Sequence, residues 1–228
     1  MRKFLWIVLI SLAGCALPPR EEAPPAAPVP APAAKPAAPG EPWTVTRSQL
    51  DVRVWRDGTM QKLGHNHVIT TGQLAGTIQL REPLSATSFE LSVPLESLVV
   101  DDDAARARAG ADFSAPVPQK DRDGTRRNML GEKLLNAVLQ PEMRLASESL
   151  SGDAGQYEAQ VRVALAGSEH VVTAPFTVAI EGDRLEAKGT FHLTHEDLGL
   201  APFTVALGVL KVRDDFEVDL TLEARRGT

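Results

Sequence analysis

Cysteine is almost absent from this chain of 228 residues, which contains a single one, Cys15. A disulfide within the chain is therefore excluded. Long apolar runs are missing too, because the compact run from Phe4 to Leu12 is too short to span a bilayer as a permanent helix. The folded domain must therefore form without an internal disulfide and without a membrane-spanning helix.

Catalytic motifs are also missing. The sequence contains no Gly-x-Ser-x-Gly elbow, no His-Glu-x-x-His and no Gly-rich phosphate loop. Nothing in the sequence brings a Ser, a His and an Asp together. We therefore expect a protein that is not an enzyme and that requires no cofactor.

Positive charge is in deficit, since the formal net charge is −6. An acidic protein repels phosphate backbones. Nucleic acid is therefore not an expected partner.

The first residues are typical of an export signal. Arg2 and Lys3 provide a positive start, the apolar run follows, and residues 12–15 read Leu-Ala-Gly-Cys. This segment resembles the bacterial lipoprotein signal. The resemblance implies cleavage before Cys15 and attachment of acyl chains to its thiol, which would anchor the protein to a membrane. An ordinary signal peptide is the alternative.

Proline and alanine dominate the stretch that follows, with ten prolines and nine alanines in residues 16–42. This composition favours an extended linker. We therefore predict a signal peptide (1–14), a lipidated cysteine with its linker (15–42) and one folded domain (43–228). Ala16, where Asp could stand, favours the outer membrane of the bacterial cell envelope, with the protein facing the periplasm.

Short runs of alternating apolar and polar residues fill the folded domain. The clearest run extends from Tyr157 to Leu165, and turn residues separate it from its neighbours. The pattern predicts eight or nine strands in an antiparallel all-β fold, either a barrel or a sandwich. The first four predicted strands are Leu50–Trp55, Lys62–Thr70, Leu74–Leu80 and Phe89–Glu96. The remaining ones are Met143–Ser147, Tyr157–Leu165, Val171–Ile180, Leu185–Leu193 and Leu210–Leu222.

One segment, from Ser88 to Ser147, interrupts this pattern. A strand is followed by a charged loop to about Gly124, in which three aspartates at 101–103 are expected to be solvated. Thr125 is predicted to cap a helix that ends before Pro141. The apolar face of this helix would consist of Leu130, Leu134, Ala137 and Val138.

This segment carries a family resemblance. Its two parts read SFELSVPLESLVVDD and RRNMLGEKLLNAVLQPEMRLAS, and they resemble the central signature of the YceI-like lipid- or polyisoprenoid-binding proteins. The resemblance implies a lipocalin-like antiparallel barrel of about eight strands with one inserted helix. Its implied ligand is an isoprenoid lipid, either a polyprenyl phosphate or an isoprenoid quinone, inside an apolar lumen.

The candidate lumen residues are apolar and occupy alternating strand positions. They are Phe89, Leu91, Val93, Val161, Val163, Phe191, Phe216 and Val218. Plain core packing is the alternative role for each. Arg126 and Arg127 are candidates for an anionic head group, because they are expected beside the N-terminus of the inserted helix.

Two histidines, His65 and His67, stand two residues apart on a predicted strand and would share one face. Such a pair is half of a possible metal site, which His192 or His195 could complete. The alternative is a set of polar residues that hydrogen-bond to the backbone. Two further hypotheses therefore stand beside the lipid-binding one: a metal-handling or redox-associated lipoprotein, and a structural envelope protein with no ligand.

Overall fold

Eleven antiparallel strands form one sheet in the computed structural model, which describes residues 40–205 and 209–227. The strands are β1 (Glu41–Asp57), β2 (His67–Thr71), β3 (Ala75–Leu80), β4 (Ser88–Pro94), β5 (Val99–Val100), β6 (Glu142–Asp153), β7 (Gln156–Leu165), β8 (Ser168–Glu181), β9 (Arg184–Thr194), β10 (Thr204–Val205) and β11 (Leu210–Arg226). Two α-helices, α1 (Asp103–Ala109) and α2 (Gln119–Leu130), lie between β5 and β6. None of the described helices combines the length and apolarity needed to cross a membrane.

Eight of these strands close into a barrel. They follow the order β1-β3-β4-β6-β7-β8-β9-β11, and β11 pairs back onto β1 from Trp43↔Arg226 to Asp57↔Lys211. The strand β2 lies beside the second half of β1, β5 lies beside β2, and β10 lies beside β11. The predicted all-β barrel is thus confirmed, although its insertion contains two α-helices where the sequence predicted one.

The alternating pattern of β7 shows how the barrel wall forms. Ala159, Val161, Val163 and Leu165 are buried, whereas Glu158 and Arg162 at alternate positions are exposed. Successive side chains of a strand point to opposite faces, so one face fills the interior and the other meets water. This division explains why the sequence pattern predicts most of the strands.

Tight turns join the strands from β6 to β9. Ala154 and Gly155 in the β6–β7 turn both have positive φ, 49° and 85°. Two consecutive residues with positive φ are typical of the turns that match the twist of antiparallel strands. Two-residue turns also join β7 to β8 at residues 166–167 and β8 to β9 at residues 182–183.

The inserted helix was predicted in the wrong place. The helix α2 begins after Pro118 and ends at Gly131, so Thr125 lies inside it, and residues 131–140 form turns. Gly131 is extended, with φ −71° and ψ 167°, and this backbone conformation ends the helix. The apolar residues that suggested a helical face divide differently, since Ala137 is buried while Val138 is 97% exposed.

Strand boundaries also differ from the prediction, most clearly at the starts of the first two strands. The first strand begins at Glu41, so the last two residues assigned to the linker belong to β1. The second begins only at His67, because Gln61–Leu63 form a 3-10 turn. Residues 1–39, which include the predicted signal peptide, Cys15 and most of the linker, lie outside the described residues.

Packed side chains continue the core beyond the end of β4. Leu95 follows this strand directly, and it is buried in the same cluster as Met129 and Leu130 of α2. Leu135 and Ala137 from the turns after α2 are buried there as well. The Leu95 N–H donates to the Pro141 carbonyl at 2.8 Å, so the insertion lies against the end of β4 and adds to the barrel core.

Candidate ligand cavity

An apolar cavity of about 230 Å³ lies inside the barrel. All eight barrel strands contribute to its wall, from Leu50 and Val52 on β1 to Leu220 and Leu222 on β11. Leu74, Leu84, Thr87 and Leu198, which lie outside the eight strands, complete the lining. The cavity is thus formed by the inward-facing half of the alternating pattern.

The structure places seven of the eight predicted lumen residues on the cavity wall: Phe89, Leu91, Val161, Val163, Phe191, Phe216 and Val218. The exception is Val93, which is completely buried but does not line the cavity. It stands next to the end of β4, where the insertion packs. The alternation predicts that Val93 faces inward, but it cannot tell open space from packed core.

Few polar groups reach this cavity. Among the lining residues, Thr87 and Tyr157 carry hydroxyl groups and Lys188 carries the one charge. The Thr87 hydroxyl already accepts a hydrogen bond from the Arg81 N–H at 3.0 Å. A molecule inside would be held chiefly by burial of apolar surface, which contributes about 25 cal/mol per Å².

The volume limits the size of such a molecule. An apolar protein cavity of about 150 Å³ stays dry and binds benzene. The present cavity has about one and a half times that volume. It therefore accommodates on the order of ten carbon atoms, roughly two isoprene units.

The sequence profile of the YceI-like domain matches residues 43–224. The chain belongs to the YceI-like family. A comparison with curated protein sequences finds no match.

Solved structures show the same barrel. BcnA from Burkholderia cenocepacia is 12% identical, with a TM-score of 0.54 over 77% of this chain and 95% of BcnA. The YCEI protein from Campylobacter jejuni is 9% identical, with a TM-score of 0.52 over 70% of this chain and 85% of that protein. A mutant of the latter with a monobromobimane guest is 10% identical, with a TM-score of 0.51 over the same shares. At these identities the similarity shows the fold alone.

Outside the eight barrel strands, this YceI-like protein contains a buried ionic cluster centred on Asp101. The Asp101 carboxylate is 0% exposed and accepts hydrogen bonds from His67 Nδ1 at 2.6 Å, from the Val68 N–H at 3.0 Å and from Arg106. Arg106, itself buried, also donates to the carbonyl oxygens of Asn66 at 2.9 Å and Ala115 at 2.8 Å. The cluster fastens α1 to β2.

Of the three aspartates at 101–103, Asp101 is therefore not solvated as the sequence suggested. Asp102 caps α1 by accepting from the Ala105 N–H at 3.0 Å, and both Asp102 and Asp103 are exposed. Burial by itself raises the pKa of Asp101, but its hydrogen bonds from His67, Val68 and Arg106 outweigh this effect and hold the pKa below its ordinary value. No sequence spacing marks these partners, because the fold brings them together.

The four candidate metal-binding histidines are not brought together. His67 lies opposite Val54, Val54 opposite Phe216, and Phe216 opposite Leu193, the neighbour of His192. Three strand spacings amount to about 14 Å, whereas nitrogen atoms bound to one zinc ion lie within about 4 Å of each other. His192 and His195 therefore cannot complete a site with His67.

Each histidine instead has its own partner. His65, which precedes β2, lies 3.4 Å from Asp121, and His192 lies 3.3 Å from Glu217. The buried His195 donates from Nδ1 to the Asp214 carbonyl at 2.6 Å. Among the described residues, no group of three or more His, Cys, Asp or Glu side chains has the arrangement needed to hold a metal ion.

The two candidate head-group arginines lie far along α2. Arg126 and Arg127 belong to its second half, so the premise that they stand beside its N-terminus is wrong. Arg126 donates to Glu96 Oε2 at 2.7 Å and to the Glu96 carbonyl at 2.8 Å. Neither arginine lines the cavity.

Proposed function

We propose that this protein is a membrane-anchored binding protein that holds the tail of an isoprenoid lipid in the barrel cavity and catalyses no reaction. The observation that carries the proposal is the apolar wall, to which all eight barrel strands contribute. Each CH₂ group transferred from water to such a wall contributes about 0.8 kcal/mol. Membership of the YceI-like family supports a hydrophobic ligand.

The proposal includes the location of the protein. Acyl chains on Cys15 would hold it in the bacterial cell envelope, facing the periplasm, at the outer membrane. The expected result is that Cys15→Ser moves the full-length protein from the membrane fraction to the soluble periplasmic fraction. Retention of the variant in the membrane fraction would contradict the anchor.

The test of the lipid uses full-length protein purified from bacterial envelopes without an affinity tag. Its bound lipids are extracted and identified by mass spectrometry, and metal content is measured on the same sample. A stoichiometric isoprenoid lipid supports the proposal. Metal without lipid would favour the metal-handling hypothesis, and neither would favour a barrel without a ligand.

A pair of variants locates the lipid. Val161→Trp fills the cavity, because Val161 is buried and lines it. Val171→Trp is the control, since Val171 is 50% exposed on the outer face of β8. We expect the first variant to lose the co-purified lipid and the second to keep it. If folded Val161→Trp protein retains the same lipid, the cavity does not hold the tail.

A further inference from the structure

The barrel wall contains a seam between β8 and β9. These strands pair only from Thr177↔Lys188 to Glu181↔Arg184. Residues 168–176 of β8 pair with β7 alone, and residues 189–194 of β9 pair with β11 alone. Within the described residues, no strand pairing therefore joins these two stretches across the seam.

Pro175 and Gly189 stand where the pairing stops. Proline has no N–H to donate to a strand ladder. A Cβ atom on Gly189 would lie only 2.7 Å from the Pro175 carbonyl oxygen and 3.4 Å from Phe176 Cβ. The two strands thus approach closely at the point where their pairing ends, and only glycine leaves room for the approach.

A polar groove of about 480 Å³ meets the cavity at this seam. Five residues line both spaces: Tyr157, Pro175, Phe176, Lys188 and Gly189. The remaining groove residues are Ser151, Gly152, Gln156, Glu158, Thr177 and Thr190. The groove therefore shares part of its wall with the apolar cavity at the unpaired seam, but it offers hydroxyl, amide and charged groups.

An aromatic pair marks the boundary between groove and cavity. Tyr157 and Phe176 lie opposite each other on β7 and β8, and their stacked rings are 5.9 Å apart. Both are only partly buried. An amphiphilic ligand placed across this boundary would have its tail on the apolar side and its head on the polar side.

The charges of the groove select among head groups. Glu158 contributes a negative charge and Lys188 a positive one, and Lys188 is already paired with Glu186. No arginine belongs to the groove as the structure describes it. A phosphate carrying about 1.5 to 2 negative charges would face Glu158 with no unpaired cation to balance it. Uncharged hydrogen-bonding groups meet no such repulsion.

We infer that the polar groove binds the head group of the ligand and that this head group is uncharged, as in an isoprenoid quinone, whereas a polyprenyl phosphate is disfavoured. This inference rests on the proposed function, because it assigns the head of the molecule whose tail occupies the cavity. Gln156 and Ser151 supply the hydrogen-bonding groups, since neither side chain has a hydrogen-bond partner among the described residues.

Calorimetric titration of the full-length protein with two probes tests the charge of the head group. Both probes carry two isoprene units: one ends in a benzoquinone, the other in a phosphate. We expect the quinone to bind at least tenfold more tightly. Tighter binding of the phosphate would overturn this inference and leave the proposed function intact. Binding of neither probe would overturn both.

Matched variants test the place of the head group. Thr177→Trp obstructs the groove, and Thr173→Trp is the control, because Thr173 is exposed on the same strand but does not line the groove. We expect the first to lose at least tenfold in quinone affinity and the second to keep it. Equal affinities of two folded variants would exclude the groove.

Glu158→Gln provides an independent readout. Removal of this carboxylate is expected to strengthen binding of the phosphate probe severalfold and to leave the quinone probe unchanged. An unchanged affinity for the phosphate would show that its weak binding has another cause and would overturn the assignment to this groove.

Discussion

Asp101 helps to attach α1 to β2 through its buried hydrogen bonds with Arg106 and Val68. Its carboxylate neutralises the buried Arg106, and removal of one partner of a buried ion pair costs about 3–5 kcal/mol. We expect Asp101→Asn to lower the free energy of unfolding by about this amount in urea denaturation.

The control for this substitution is Asp103→Asn. Asp103 is bonded to Arg122, but its side chain is 89% exposed, so the change should have almost no effect. Equal losses in both variants would show that Asp101 is not specially stabilising.

Acid should remove the contribution of Asp101. Its pKa is lowered from 3.8 in the folded protein, so its stabilisation is complete above that value and is lost as the pH falls through the lower folded pKa. The difference in unfolding free energy between wild type and Asp101→Asn should therefore be smaller at about pH 3 than at about pH 5. A difference that grows on acidification would contradict this sign.

The prediction that Asp101 is solvated was wrong for a physical reason. Three consecutive aspartates are usually solvated, because an unpaired buried carboxylate is costly. Asp101 escapes this cost only through partners on β2 and α1, whose proximity depends on the fold. His67, by contrast, stood out in the sequence, although its partner proved to be a carboxylate of the protein.

At the scale of elements, residues 131–140 give the sharpest contrast with the prediction. Leu135 and Leu139 are four residues apart and would share a face in a helix. In the turns observed here, Leu135 is 9% exposed and Leu139 is 68% exposed. The same substitution at the two positions therefore distinguishes turn from helix.

Leu135→Ala should cost about 2–5 kcal/mol of unfolding free energy, because it leaves a cavity in the core. Leu139→Ala should cost much less, since its side chain is already in water. Thermal or urea unfolding of both variants measures the difference. Similar losses would favour the helix that the sequence pattern suggested.

Strands were easier to predict than this insertion. Alternation reports which face of a strand is buried, and in a closed barrel every wall strand has one such face. Apolar residues spaced by three and four can arise from packed turns as well as from a helix, as Leu134 and Ala137 show. Gly131 was the signal that the helix ends before them.

At the scale of the whole molecule, the cavity volume predicts selectivity for tail length. In a series of quinones, affinity should rise at least tenfold between one isoprene unit and about two. It should then change little for three and four units, because a cavity of about 230 Å³ is already full. Titration calorimetry measures the series. A steady gain up to four units would show that the barrel expands around its ligand.

The barrel and most of its inward-facing residues could be predicted from the sequence, because Val161, Val163 and their counterparts follow a strict alternation. The cavity and the seam could not. Whether facing side chains leave a space depends on their sizes across the whole barrel, and the seam depends on where Pro175 meets Gly189.

Closure of the barrel through β1 and β11 determines when the barrel can form. Trp43 pairs with Arg226, so the first strand of the domain must wait for the last one to be synthesised. Contacts between residues so distant in sequence form slowly, commonly within milliseconds to seconds. Until β11 arrives, one edge of β1 stays open to pairing with other chains, and a nascent chain is most vulnerable to aggregation during that interval.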